Sequence, residues 1–225
     1  MDRTVEADSD LLRDLQAQLD AIGKSQAVIE FDMDGTIRDA NENFCATLGY
    51  ALDEIKGQHH RMFVEPGYAK SAEYWAFWER LNRGEYVADE FKRIGKGGKE
   101  VWIQASYNPI LDLNGKPFKV VKYATDISEQ KDAEFQIQRL IDLAAKGELD
   151  ERLDASSYGG SMANLANSFS TMVEAFVGPM RDVSKVVTAL AEGDLSTRMA
   201  EDYEGEFAVL RDAANGCSEN LFDMV

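Results

Sequence analysis

The 225-residue chain is poor in several things, and each shortage excludes a class of protein. It has two cysteines, Cys45 and Cys217, far apart and with no Cys/His cluster around either, so a disulfide framework or a zinc knuckle is excluded. Positive charge is short as well: 24 Lys+Arg stand against 41 Asp+Glu, a net charge of −17. A basic groove for phosphates is not available, and nucleic acid is not expected as a partner. No apolar run approaches the roughly 20 residues of a membrane helix, so no membrane span is expected. Acidic residues follow Met1 where a secretory leader would be basic and then apolar, so a cytoplasmic protein is expected. Hydrophobic residues at 44% and aromatics at 10% are ordinary for a folded protein, which excludes wholesale disorder.

What is present is unevenly distributed. From residue 131 onward there are 18 acidic and 8 basic residues, a net of −10, and the aromatics thin out. Trp75, Trp78 and Trp102 all lie before that point, where large rings suit a compact core. The later part is rich in Ala, Leu, Val and Met at helical spacing. Two architectures are therefore expected, joined near residue 128. Leu11, Leu15, Leu19 and Ile22 predict an N-terminal helix over 1–24 with a narrow apolar stripe, stopped by Gly23. A strand over 27–31, a hairpin signal at Asp34-Gly35 and a second strand at 36–38 come after it. Short helices are expected at 41–50, 52–57 and 71–83. Three strands come next, at 86–94, 100–111 and 118–125, separated by glycine-rich turns. Grouped strands interrupted by grouped helices predict an α+β domain over 25–128 with a five-stranded antiparallel sheet and flanking helices.

The second part repeats itself. Gly147-Glu148-Leu149-Asp150-Glu151-Arg152 matches Gly193-Asp194-Leu195-Ser196-Thr197-Arg198 at an offset of 46. Leu140, Leu143 and Ala144 match Val186, Ala189 and Leu190 at the same offset. Tyr158, Gly160, Met162 and Leu165 match Tyr203, Gly205, Phe207 and Leu210 at 45. Each unit reads as helix, Gly-acidic-Leu corner, extended connector and helix, over 129–178 and 179–225. Pro179 is expected in the first turn of a helix, opening the second unit. Helices of about 15 residues are marginal alone. Two chains would bury the stripes together in parallel four-helix bundles, so a homodimer is expected.

One motif points elsewhere. Phe31-Asp32-Met33-Asp34-Gly35-Thr36 resembles the first motif of haloacid-dehalogenase-type phosphatases. That resemblance implies Asp32 as nucleophile and Asp34 as general acid around Mg²⁺. Such chemistry also needs a parallel sheet, whereas the strand order here is antiparallel, and a hairpin turn explains the same residues.

Other residues carry a second resemblance. Asp34-Gly35, Asn41, Phe44, Leu48-Gly49-Tyr50, Glu54-Ile55-Lys56-Gly57, Gly95-Lys96-Gly97-Gly98 and Asp126-Ile127-Ser128 resemble a PAS sensor domain over 26–128. The stretches 59–63 and 105–109 are similar to PAS domains of cytosolic methyl-accepting chemotaxis proteins. The repeats resemble HAMP units in tandem. The resemblance implies a non-enzymatic chemoreceptor module, in which a PAS domain senses a small molecule or redox state and biases HAMP bundles. Its partners would be a receptor signalling domain or kinase complex not present in this chain. It also implies a ligand pocket, for which His59, His60, Trp75, Trp78 and Trp102 are the candidates. Either histidine is a candidate axial ligand for b-type haem. Nothing around Cys45 resembles a cysteine-adduct flavin photosensor. Asp126, Ile127 and Ser128 would relay the signal from sheet to helix, Asp126 pairing with a hairpin Lys or Arg. Gly147, Leu149, Pro179, Gly193, Asp194 and Leu195 would relay it through the corners. A dimerisation scaffold with an empty PAS core is the remaining alternative.

Overall fold

The structure is a computed structural model that describes residues 2–200 and 202–224, with side chains from Ser9 onward. Met1 and Val225, the outer ends of the expected segments 1–24 and 179–225, lie outside the described residues. The chain divides into two compact units, Met1–Lys131 and Asp132–Val225.

In the first unit, helix α1 (Asp2–Ser25) leads into strands β1 (Ala27–Phe31) and β2 (Ile37–Ala40). Helices α2 (Glu42–Leu48) and α3 (Leu52–Ile55) come next, then two single turns of 3-10 helix at His60–Phe63 and Tyr68–Lys70, and helix α4 (Ala72–Asn82). Strands β3 (Val87–Ile94), β4 (Glu100–Leu111) and β5 (Pro117–Asp126) complete the unit. The sheet runs β2-β1-β5-β4-β3 with every neighbouring pair antiparallel, as expected from the sequence. Alternation along β4 sends Val101, Ile103, Ala105 and Tyr107 inward, where they are buried against the helices.

Two local features set the approach of the helices to the sheet. The β1–β2 turn closes through Asp32 and Thr36, and the Asp34 carboxylate accepts the Thr36 N–H at 2.9 Å. Gly35 takes a φ of +90°, and a Cβ there would lie 2.8 Å from the His59 ring and 2.9 Å from the Trp78 ring. Only glycine lets the turn close against these two side chains. Asn41 caps α2, its side-chain oxygen accepting the Phe44 N–H at 2.9 Å.

Gly23 does not stop α1, which continues to Ser25. A glycine near a helix end costs only about 1 kcal/mol. Its carbonyl is taken up by the side-chain amides of Asn41 and Asn43, each at 3.0 Å.

The second unit is built from α5 (Ser128–Ala145), which begins in the first unit, α6 (Gly160–Ala191) and α7 (Gly205–Phe222). Pro179 does not open a helix. It lies in the interior of α6, a single helix of 32 residues, so the expected boundary at 178/179 falls within one element. An interior proline costs about 3 kcal/mol. Burial of Ala166, Val177, Pro179 and Val186 along α6 carries the helix through it.

Candidate functional site

The interior of the first unit is organised around Tyr107. The segment after α3 runs beside β2: Ile37 donates its N–H to Gln58 O at 2.8 Å, and His60 donates its own to Gly35 O at 2.8 Å. This sets His60, almost fully buried, at the start of a 3-10 turn facing β4. Its Nδ1 lies 3.0 Å from the Tyr74 hydroxyl and its Nε2 lies 3.0 Å from the Tyr107 hydroxyl. The ring stacks on Tyr74 and Phe77 and meets Phe31, Trp78 and Tyr107 edge-on. Arg93 on β3 donates from Nη2 to the same Tyr107 hydroxyl at 3.0 Å, and its guanidinium lies 4.6 Å from the Phe91 ring centroid. The ammonium of Lys122 on β5 sits 5.0 Å from the Tyr107 centroid and 5.3 Å from that of Phe44.

His60, Arg93 and Lys122 are all basic, and each opposes protonation of its neighbours. Burial, then Arg93 and Lys122, push His60 well below the usual histidine range, so the ring is neutral. Burial and Arg93 push Lys122 well below the usual lysine range. Burial raises the Tyr74 hydroxyl to about 12.

Acid is expected to destabilise the domain through His60. The unfolded ring takes a proton near pH 6.5 and the folded one resists it. Stability is therefore retained above about 6.5 and lost as pH falls below it. Urea midpoints measured from pH 7.5 to 5.5 should fall more steeply in the wild type than in His60→Gln. Equal slopes would show that His60 titrates as it does unfolded.

The other expected pocket residues divide. Trp78 is buried, but Trp75 is 65% exposed and turns away from the core. The reason is helical phase: α4 buries Tyr74, Phe77, Trp78 and Leu81, and Trp75 falls at the flank of that face, about 100° around the helix from Tyr74. Trp102 also misses the interior, because it alternates with the inward Val101 and Ile103. Its ring lies beneath the Lys131 ammonium, 5.8 Å from the centroid. His59 is half-buried, and its Nδ1 accepts the Arg61 N–H at 3.0 Å.

Neither histidine fits a haem iron as arranged. Both nitrogens of His60 are occupied by tyrosine hydroxyls, and the space beside its ring is filled by aromatic side chains. The Nε2 of His59 faces Gly35, where even an added Cβ would come within 2.9 Å of it. The phosphatase reading fails too. Asp32 pairs with Arg38 at 3.4 Å and Asp34 closes a hairpin turn, at the edge of an antiparallel sheet.

The junction after β5 is tied to β4. The Trp102 N–H donates to Ser128 Oγ at 3.0 Å, and the Ile127 N–H donates to Trp102 O at 2.9 Å. Asp126 does not pair with a hairpin cation. Its carboxylate accepts the Ser128 N–H at 2.8 Å at the start of α5, where free N–H groups favour an anion.

In the second unit the sequence repeat becomes a geometric one. Gly147 and Gly193 take φ of +85° and +86°. Glu148 N–H donates to Leu143 O at 3.0 Å and Asp194 N–H to Ala189 O at 2.9 Å, so both corners end their helices in one way. Arg152 donates to Leu149 O and Glu151 O, as Arg198 does to Leu195 O and Thr197 O. The hydroxyls of Tyr158 and Tyr203 donate to Asp132 and Asp182, on the helix preceding each connector. The Ser196 hydroxyl, with the Ser196 N–H and the Thr197 hydroxyl, holds Asp194 down at about 2.

The two repeats differ in how they hold the connector at the position of Asn215 in one and Ser170 in the other. Asn215 brackets Met199, accepting its N–H at 2.8 Å and donating to its carbonyl at 3.1 Å. Ser170 makes one contact, to Leu153 O at 3.5 Å. Asn215→Ala should therefore cost about 1–2 kcal/mol and Ser170→Ala about 0.5 or less. Circular dichroism melts of the two variants would compare them; equal costs would show that the Met199 clamp contributes nothing.

Comparison with known proteins finds a PAS fold in the first compact unit and a HAMP domain in the second. A model of the PAS fold matches residues 37–124, and a HAMP domain model matches residues 157–223. Over 117 residues the chain is 50% identical to the biofilm dispersion protein BdlA of Pseudomonas aeruginosa, covering 52% of this chain and 28% of that protein. Over 114 residues it is 34% identical to the methyl-accepting chemotaxis protein McpB of the same organism, covering 51% of this chain and 17% of that protein. The chain thus spans less than a third of these relatives. A solved PAS domain from Colwellia psychrerythraea is similar at 23% identity and a TM-score of 0.45, covering 51% of this chain and 98% of that one. With the hairpin, the sheet and the two Gly corners in place, the chain carries a PAS domain followed by a HAMP domain.

Proposed function

We propose that this chain is the sensory part of a cytoplasmic chemoreceptor, a non-enzymatic module in which the PAS domain biases the packing of HAMP helices in a parallel homodimer. The observation that carries this reading is the junction at 126–128. The backbone of Trp102, near the start of β4, is bonded through its N–H to Ser128 Oγ and through its carbonyl to the Ile127 N–H, at the entry to α5. A shift in β4 therefore acts directly on the start of the helix that supplies the second unit. The free thiols of Cys45 and Cys217 suit a reducing compartment. Among the described residues no helix is long and apolar enough to cross a membrane. Its output partner would be a receptor signalling domain and its kinase complex.

Dimerisation is supported by apolar surface that one chain leaves uncovered. Met172, Phe176, Met180 and Val187 on α6 are each about half exposed, and Leu11, Leu15 and Leu19 on α1 are exposed too. A ligand can switch such a device only through different affinities for two states, and inverting a 1:99 equilibrium takes about 5.5 kcal/mol.

The test is a pair of spin labels on α7, one per chain, read as an interchain distance in the wild type and in Ser128→Ala. A changed distance distribution with an intact dimer supports the relay. An unchanged one overturns it and leaves a ligand-free dimerisation scaffold, the second reading, which the filled aromatic interior favours.

A further inference from the structure

Three buried or nearly buried basic side chains, His60, Arg93 and Lys122, lie around Tyr107 with no buried carboxylate among the described residues to balance them. The salt bridges of neighbouring residues do not reach inside: Lys92 pairs with Glu65 and Glu100, and Lys119 with Glu30. Of the three, Arg93 cannot shed its proton, and a buried charge without a counter-ion is costly.

Arg93 is 3% exposed, yet its Nε has no hydrogen-bond partner, while Nη1 donates to Lys92 O and Nη2 to Tyr107. The same residue lines a groove of about 360 Å³ that wraps the free edge of β3. Val64, Tyr68, Phe91 and Trp102 form its apolar and aromatic walls, and Lys92 also lines it. Two carboxylates stand in the groove, and each is engaged: Glu65 with Lys92 at 3.0 Å and Glu90 with Lys131 at 2.7 Å. The groove therefore combines aromatic walls, neutralised acids and, buried in its wall, a guanidinium with a donor to spare.

We propose that this groove binds a small organic carboxylate, its carboxyl group against Arg93 Nε and its apolar body between Tyr68 and Trp102. A carboxylate is planar and matches the guanidinium edge, which a compact ammonium would not require. The groove is at the small end of ligand sites, so the molecule is of single-ring or short-chain size. Occupancy would have two consequences. It would satisfy Nε, and it would draw on the Arg93–Tyr107 bond that also holds His60. The site is also adjacent to the relay, because Trp102 provides both a wall of the groove and the backbone clamp on Ile127 and Ser128. This inference rests on the sensory reading of the PAS domain and supplies the class of ligand that reading lacks.

The experiment uses the full chain and three probes: benzoate, the neutral isostere benzamide, and inorganic phosphate. Calorimetric titration should show saturable benzoate binding, at least about tenfold tighter than benzamide, or ~1.4 kcal/mol. In Arg93→Gln the advantage of benzoate over benzamide should disappear. Should that variant fail to fold, the wild type alone decides: the Arg93 Nε–H resonance should shift with benzoate and not with benzamide. Equal binding of the two ring compounds, no binding, or a shift produced by phosphate alone would each overturn the proposal. These outcomes are independent of the interchain distance in Ser128→Ala, so the relay can stand while the carboxylate site falls, and the reverse.

Discussion

Replacing Phe176 and Met180 together by glutamate is expected to convert the dimer to a monomer while the PAS domain stays folded. Both side chains are 55% exposed, one turn apart on α6, in line with Met172 and Val187. Phe176 rests edge-on against Phe207 at 5.6 Å, and the rest of its surface is uncovered in one chain. Each is already about half covered in one chain, so a dimer gains about half of the ~1.5–3 kcal/mol of full burial per side chain, for two side chains per chain. Four of them sum to about 3–6 kcal/mol, or two to four orders of magnitude in dissociation constant. The net charge of −17 per chain opposes association, but salt screens it beyond about 8 Å. Sedimentation equilibrium at tens of micromolar should find wild type dimeric and the double variant monomeric. Val186 and Leu190 are poorer sites for this test. Val186 is 1% exposed within a single chain, so a glutamate there would unfold the unit whether or not it dimerises. A wild type found monomeric and well folded would remove the dimer from the proposed function.

How much of the fold was legible in the sequence depends on the kind of signal each feature leaves. A β-rich run, a hairpin signal and glycine-rich turns marked the five strands, and β4 falls at 100–111 as expected. The corner repeat was equally visible, because a positive φ requires glycine and recurs as a residue. Gly23 and Pro179 misled for a shared reason: local propensity opposes helix at both, and hydrogen bonds or packing at a distance outweigh it. The pocket residues were harder. Aromatic identity singled out Trp75 and Trp102, but helical phase and strand alternation turn both away from the interior. Arg93, Lys122 and Tyr107 went unnoticed although the signal was there. Lys122 stands in the inward phase of β5 between Val120 and Ala124, and Arg93 two residues after Phe91 on β3. A charged residue in an apolar phase is the mark to seek. Which hydroxyl or ring would receive it depends on cross-strand neighbours that no local pattern encodes.

The second large effect is expected at Asn41, a residue that joins three elements through one amide. Its side-chain oxygen accepts the N–H groups of Val28 and Phe44, each at 2.9 Å. Its side-chain nitrogen donates to Gly23 O at 3.0 Å and Gln26 O at 2.8 Å. The end of α1, the start of β1 and the first turn of α2 therefore depend on it. Asn41→Ala leaves four backbone groups without this partner, partly buried, and should destabilise the PAS domain by about 2–4 kcal/mol. Asn41→Asp retains both acceptor bonds and the cap but loses both donor bonds, and places a charge beside two carbonyls. It should fall between alanine and wild type. Tryptophan fluorescence in urea is a suitable probe, since Trp75, Trp78 and Trp102 all lie in the first unit and report on it alone. The midpoint should drop with the slope unchanged, as for a loss of stability without a change in exposed surface. If Asn41→Ala lies within about 0.5 kcal/mol of wild type, then Asn43, which also donates to Gly23 O and Gln26 O, and water replace the amide, and the junction of α1, β1 and α2 does not depend on Asn41.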